Sequence, residues 1–209
     1  MALSFANTSG KAVSSNAYKY KDGQNSLRLF GGIMPIYGYW LKTAEGKPIY
    51  LECLSFDREK EKFTNVEKDW VQHYFPDAKC AWGYNIMALD TSDNKVYTLP
   101  LKKKLFAQIQ EAAKDLGDPT DLDNGWTVVF TKAKTGSQAF NVEYTLNVLR
   151  CKKEPVTDEQ REAIEAAPSI DELLPRRTPD EIKQIIETRI LGTGDVPPEA
   201  EESADDLAF

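Results

Sequence analysis

Short runs rich in β-branched and aromatic residues dominate the chain from about residue 26 onward. "NSLRLF", "PIYGYWLKT" and "PIYLECLSF" come first, the last two joined by the glycine-containing turn "AEGK". "AWGYNIMALD" and "KVYTLPL" follow across "TSDN", then "GWTVVFTKAK" and "FNVEYTLNVLRC" across "TGSQ". Runs of this length, broken by Gly, Asn, Asp and Ser, read as strands joined by turns, and about seven of them point to a mostly β sandwich or small barrel.

Two stretches inside this region carry the helical period instead. "TNVEKDWVQHYF" opens on a capping-box pattern, Thr64 to Glu67, places Val66, Trp70 and Tyr74 on one stripe, and stops at Pro76. "KKKLFAQIQEAAKDLG" spaces Leu105, Ile109, Ala112 and Leu116 helically and ends on Gly117. After Pro155 three capping boxes follow in succession, Thr157 to Gln160, Ser169 to Glu172 and Thr178 to Glu181. The last opens with Pro179 and aligns Ile182, Ile185, Ile186 and Ile190, an apolar face that must dock on the body or on a partner. The expected organisation is a flexible N-terminal arm (residues 1–25), a β core (26–154), a helical extension (155–192) and a disordered acidic tail (193–209).

Charge changes this picture more than composition does. The net charge of −7 hides a segregation: residues 1–154 hold 21 Lys and Arg against 18 Asp and Glu, whereas residues 155–209 hold 5 against 15. A mildly basic body with an acidic C-terminal third suits a protein that binds a polyanion. Three cysteines at wide spacing, Cys53, Cys80 and Cys151, argue against a disulfide framework and for a reducing compartment. Neither a secretion signal nor a membrane span is expected, so the sequence reads as cytoplasmic.

Tools for catalysis are sparse. His73 is the one histidine, and phosphate-loop, dinucleotide and nucleophile-elbow motifs are absent from the sequence. Asp57, Glu59 and Glu61 would suit a metal-dependent nuclease, yet Arg58, Lys60 and Lys62 interleave them as a solvated charged segment would. Cys53, His73 and Cys80 fall short of a structural zinc set. The expectation is a binding protein without cofactor or metal.

Aromatic residues on strands with lysines at strand ends form the recurring theme. Tyr37, Tyr39 and Trp40 accompany Lys42 and Lys47, and Trp82 and Tyr84 follow Lys79. Tyr97 precedes Lys102, Lys103 and Lys104, and Phe140 and Tyr144 follow Lys132 and Lys134. Rings stack on unpaired bases and lysines track phosphates, so the pattern favours single-stranded nucleic acid. Alternation along a strand nevertheless turns about half of these rings into the core. A rival assignment is an adaptor whose C-terminal helices dock a replication protein on a scaffold barrel.

The order "NSLRLFGGIMP", "EGKPIYLEC", "KCAWGYNIMALD", "KVYTLPLKKKLFAQI", "GWTVVFTKAKTGSQAFNVEY" resembles the single-stranded DNA-binding proteins of T-even and related tailed phages over roughly residues 25 to 150. That resemblance implies an OB-fold barrel, a DNA groove lined by Trp82, Lys102 to Lys104, Phe140 and Tyr144, roles in replication, recombination and repair, and the cytoplasm of an infected bacterium. The zinc of that family is not matched, since only Cys53 falls at a corresponding position, and packing of Phe63, Trp70 and Tyr74 is expected in its place. The terminus "DDLAF" resembles the "DDIPF" type of tip of bacterial single-stranded DNA-binding proteins, which implies partner capture through Asp205, Asp206, Leu207 and Phe209. A monomer or a dimer fits equally.

Overall fold

The computed structural model describes residues 17–138 and 141–193. Residues 1–16 of the expected arm, Phe140 and the tail beyond residue 193 lie outside the described residues. Strand outweighs helix, 35% against 26%, as the run lengths imply.

Among the described residues eight strands form, β1 (Gly23–Lys42), β2 (Pro48–Glu52), β3 (Phe56–Asp57), β4 (Lys62–Phe63), β5 (Ala81–Asp90), β6 (Lys95–Leu101), β7 (Val128–Lys134) and β8 (Val142–Leu146). The two runs read separately as "NSLRLF" and "PIYGYWLKT" belong to one strand, β1, which is bent rather than broken between them. Between Phe30 and Met34 the pairing moves four residues along β1 against two along β5, and Gly31 takes φ 72°, which a Cβ would resist. The two extra residues preserve the alternation, so side chains on each half of β1 keep their faces.

The main sheet runs β6-β5-β1-β7-β8, all antiparallel, with β2 added to the far half of β1. Among the described residues no pairing joins β6 to β8, so the sheet is open and backbone pairing does not close it into a barrel. Side chains bring its outer strands near one another instead. Tyr20 donates its hydroxyl to Pro100 O on β6 at 2.8 Å and meets the Tyr144 ring of β8 at 5.0 Å between centroids. Tyr18 is buried, donates to Asn25 Oδ1, and its backbone N–H bonds Thr98 O of β6. Residues 17–25, counted with the arm in the sequence, are therefore part of the packed body, because two tyrosines in period-2 alternation find ring partners in the seam.

Inward residues of β1, β5, β6, β7 and β8 share one core with α2 (Lys103–Leu116), which contributes Leu105, Ile109 and Ala112. The helix ends at Gly117, φ 83°, as its sequence requires. Between β2 and β5 the insert behaves differently from its reading. Asn65 takes φ 53° inside the expected Thr64 to Glu67 box, Val66 is 83% exposed, and helix α1 spans only Trp70–Tyr74, capped by Asp69 Oδ1 accepting from Gln72 N at 3.1 Å. Trp70 and Tyr74 pack on the insert core as expected, but Phe63 is exposed.

All three C-terminal capping boxes form, opening α3 (Asp158–Glu165), α4 (Ile170–Leu173) and α5 (Pro179–Ile185). Ile164 and Ile170 cover Phe30, Met87 and Leu89 on the outer face of the sheet. Ile182, Ile185 and Ile186 enter the insert core beside Leu51, Leu54 and Val71, so the apolar face docks on the body. Arg58 grips Glu52 with two bonds at 2.7 and 2.8 Å and reaches Leu174 O at 3.1 Å, pinning this strap to β2.

Candidate nucleic-acid interface

Tyr37 of β1 lies directly opposite Trp82 of β5, and Pro35 opposite Tyr84. Facing partners on antiparallel strands share a face, here the inner one that deeper in the sheet becomes the main core. At this end the core has run out, and Trp82 is left 38% exposed. Its ring meets Tyr84 edge-on at 5.7 Å, and Tyr84 in turn meets Phe106 of α2 at 4.8 Å. Lys103 holds its ammonium 4.4 Å from the Trp82 ring centroid, a cation over an aromatic face.

The lysine cluster occupies the N-terminus of α2. Lys102 is the N-cap residue and makes no side-chain cap bond, and no acid stands in the first turn. Unpaired N–H groups and the helix dipole already make this end positive, so three lysines there are an unfavourable choice for stability and a favourable one for holding phosphate. Burial, then the nearby charge of Lys132, pushes the Lys102 pKa below the ordinary lysine value. Lys132 donates to Tyr20 O at 3.0 Å and pairs with Asp22 at 2.9 Å, while Lys102 stands 5.6 Å from the Tyr20 ring centroid.

The structure thus brings Tyr37, Trp82, Tyr84, Lys102 and Lys103 to one end of the inner face and links Lys132 and Tyr144 to it through Tyr20. Other expected residues are placed elsewhere. Tyr39 is buried in the insert core, its hydroxyl donating to Asp69 Oδ2 at 2.9 Å, so it is withdrawn from solvent and corrects the sequence reading. Trp40 alternates to the opposite face and packs on Tyr50. Lys42, Lys79, Lys104 and Lys134 are exposed. Tyr97 contacts Tyr18. Phe140 and the tail residues Asp205, Asp206, Leu207 and Phe209 lie outside the described residues. Tyr20 and Phe106 are rings the sequence reading missed, and Phe63, read there as packing, is exposed; "AYKYK" alternates aromatic and basic residues and carried the signal for Tyr20.

The acids of the nuclease alternative diverge. Asp57 pairs with Lys60 at 2.7 Å, and Glu61 accepts from the Tyr84 hydroxyl. Cys53 Sγ stands 3.0 Å from Asp69 Oδ2, and the neighbouring Cys80 thiol holds the Cys53 pKa below the ordinary cysteine value. His73 instead sets its ring against Trp70 and Tyr74, and no group of three potential ligands among the described residues is arranged to hold a metal ion. Among the described residues no helix is long and apolar enough to cross a membrane.

No family model matches the chain. It is similar to a probable ssDNA-binding protein of Escherichia phage T5, 30% identical over 138 residues, a match covering 59% of this chain and 54% of the relative. The chain therefore spans about half the length of that relative.

Proposed function

We propose that this chain binds single-stranded DNA without sequence specificity, coating and protecting it during replication, recombination or repair. The observation that carries the reading is the exposed Trp82 ring beneath the Lys103 ammonium, at the mouth of an aromatic inner face. A ring there offers a stacking surface to an unpaired base, and lysines at the positive end of α2 offer phosphate contacts. Duplex DNA hides its base faces and gains little from such a surface. Similarity to a probable ssDNA-binding protein of phage T5 supports the same assignment.

The strand connectivity supports an OB-type assignment. β1, β5, β6, β7 and β8 serve as the five strands, α2 joins the third to the fourth, and the insert from β2 to α1 lies between the first and second. OB folds, which are partly open, bind oligonucleotides on the second and third strands and on the loops after the first and fourth. Those positions correspond here to Trp82 and Tyr84 on β5, to β6, whose end Lys102 directly follows, to the insert, and to the segment between β7 and β8.

The acidic C-terminus fits the reading as a competitor and a signal. Asp205, Asp206 and their neighbours would occupy the basic surface when DNA is absent, and DNA would release Leu207 and Phe209 to a replication or recombination protein.

Titration with poly(dT), followed by Trp fluorescence at two salt concentrations, tests the assignment. Saturable quenching that weakens with salt and survives duplex competitor is expected, with most of the signal and roughly tenfold in affinity lost in Trp82→Ala. Deleting residues 193–209 should raise low-salt affinity. A parallel poly(U) titration separates DNA from RNA preference, and a flat response with the tail removed would refute single-strand binding.

A further inference from the structure

The short β3–β4 hairpin stands over the same end of the inner face. Phe63 on β4 is 52% exposed, yet its ring is not isolated: it meets Tyr37 edge-on at 5.2 Å and Phe56 at 5.3 Å. Tyr37 is the direct cross-strand neighbour of Trp82. An exposed phenylalanine is thus held by two other rings at the edge of the platform that presents Trp82, where a large apolar side chain gains little from burial.

Glu61, two residues earlier, makes the second contact across this space. Its carboxylate accepts the hydroxyl of Tyr84, the ring between Trp82 and Phe106. Glu61 takes φ 50°, a left-handed conformation that a residue with a Cβ adopts at some cost. The bond to Glu61, and then burial, pushes the Tyr84 pKa up to about 12. A carboxylate therefore occupies a hydroxyl donor beside the Trp82 and Lys103 pair, where an anion of a bound strand would find both a donor and a cation.

We propose that the β3–β4 hairpin is a second wall of the nucleic-acid surface, on which Phe63 stacks a base and the Glu61 carboxylate holds the place of a backbone phosphate at Tyr84 until a strand displaces it. This rests on the single-strand reading above and deepens it. The insert then contributes to recognition as well as to packing: Phe63 adds stacking that only an unpaired base can use, and Glu61 opposes occupancy by weakly held anions. The neighbouring charges act consistently. Lys60 is engaged by Asp57, whereas exposed Lys62 lies next to Phe63 and can follow the strand.

Anisotropy of an end-labelled oligo(dT), measured with the full-length protein, decides the matter without relying on Trp82 emission. Phe63→Ala should weaken binding roughly tenfold, and Phe63→Tyr, which keeps the ring, should restore it. Glu61→Gln keeps an acceptor for Tyr84 but removes the charge, so it should tighten binding roughly threefold at low salt, with the gain shrinking as salt rises. Unchanged thermal midpoints confirm that the variants fold. Wild-type binding by both Phe63→Ala and Glu61→Gln, alongside weakened Trp82→Ala, would overturn the hairpin proposal and leave the function standing. Weaker binding by Glu61→Gln would overturn it too, because Glu61 would then be positioning Tyr84 for the strand. Absence of oligo(dT) binding by the wild type would instead defeat the underlying reading.

Discussion

Asp90, at the end of β5, keeps its side chain only 3% exposed while accepting hydrogen bonds from Lys21 Nζ at 2.5 Å and from Ser92 N and Ser92 Oγ at 2.9 and 2.7 Å. Burial alone would raise its pKa, but these donors outweigh it and the value is lowered. A carboxylate whose folded pKa lies below its unfolded one stabilises the fold above the unfolded value of about 4, and that contribution is lost as pH falls through the folded value. Asp90→Asn should therefore lower stability by about 1–2 kcal/mol at neutral pH, with half-exposed Lys21 limiting the effect. The difference from wild type should close below about pH 4, as read by urea unfolding across pH. At this scale the sequence was a mixed guide. Trp82 and Lys102 to Lys104 stood out by type and position, but Tyr37, Tyr39 and Trp40 carry the same signal, and only the sheet decides that Tyr37 lies beside Trp82, Tyr39 in the insert core and Trp40 on the opposite side.

At the level of the element, the proposed function sets stability against binding in helix α2. Its first turn has no acid and no side-chain cap, and its N-cap is a partly buried lysine near Lys132. Lys102→Ser should stabilise the free protein by about 1 kcal/mol, since serine caps the exposed N–H groups and like-charge repulsion is relieved. The same change should weaken poly(dT) binding and reduce its salt dependence by about one counterion. Thermal unfolding and a salt-series titration on one variant read the two effects, and a variant that gains stability with undiminished DNA affinity would remove Lys102 from the interface. The boundaries of α2, β5 and β6 and the three late capping boxes were legible because their signals are local. The Thr64 to Glu67 box failed because Asn65 turns left-handed within it, and Asp69 offers a cap immediately before the apolar turn at Trp70.

For the whole molecule, the C-terminal strap decides which surfaces remain free. α3 and α4 cover the outer face of the sheet, and α5 with the π turn at Ile186–Ile190 seals the insert. Ile186 is fully buried there, so Ile186→Ala should cost about 2–5 kcal/mol in chemical unfolding. Because α5 also holds the insert, the variant should loosen the β3–β4 region to proteolysis before it affects β7 and β8. The adaptor alternative loses its main surface in this arrangement, since the isoleucine face it would offer a partner is spent on the body.

By itself the sequence determined the mostly β character, the nature of α2, the caps of α3, α4 and α5, and the pairing of aromatic with basic residues, because each depends on neighbours a few residues apart. Tertiary structure alone decided that β1 bends without breaking, that Tyr20 links the outer strands in place of backbone pairing, and that Phe63 meets Tyr37 while Glu61 meets Tyr84. Those outcomes depend on register and on contacts between distant segments, and two strands that alternate identically reveal which face is buried only when the sheet has curled around its core.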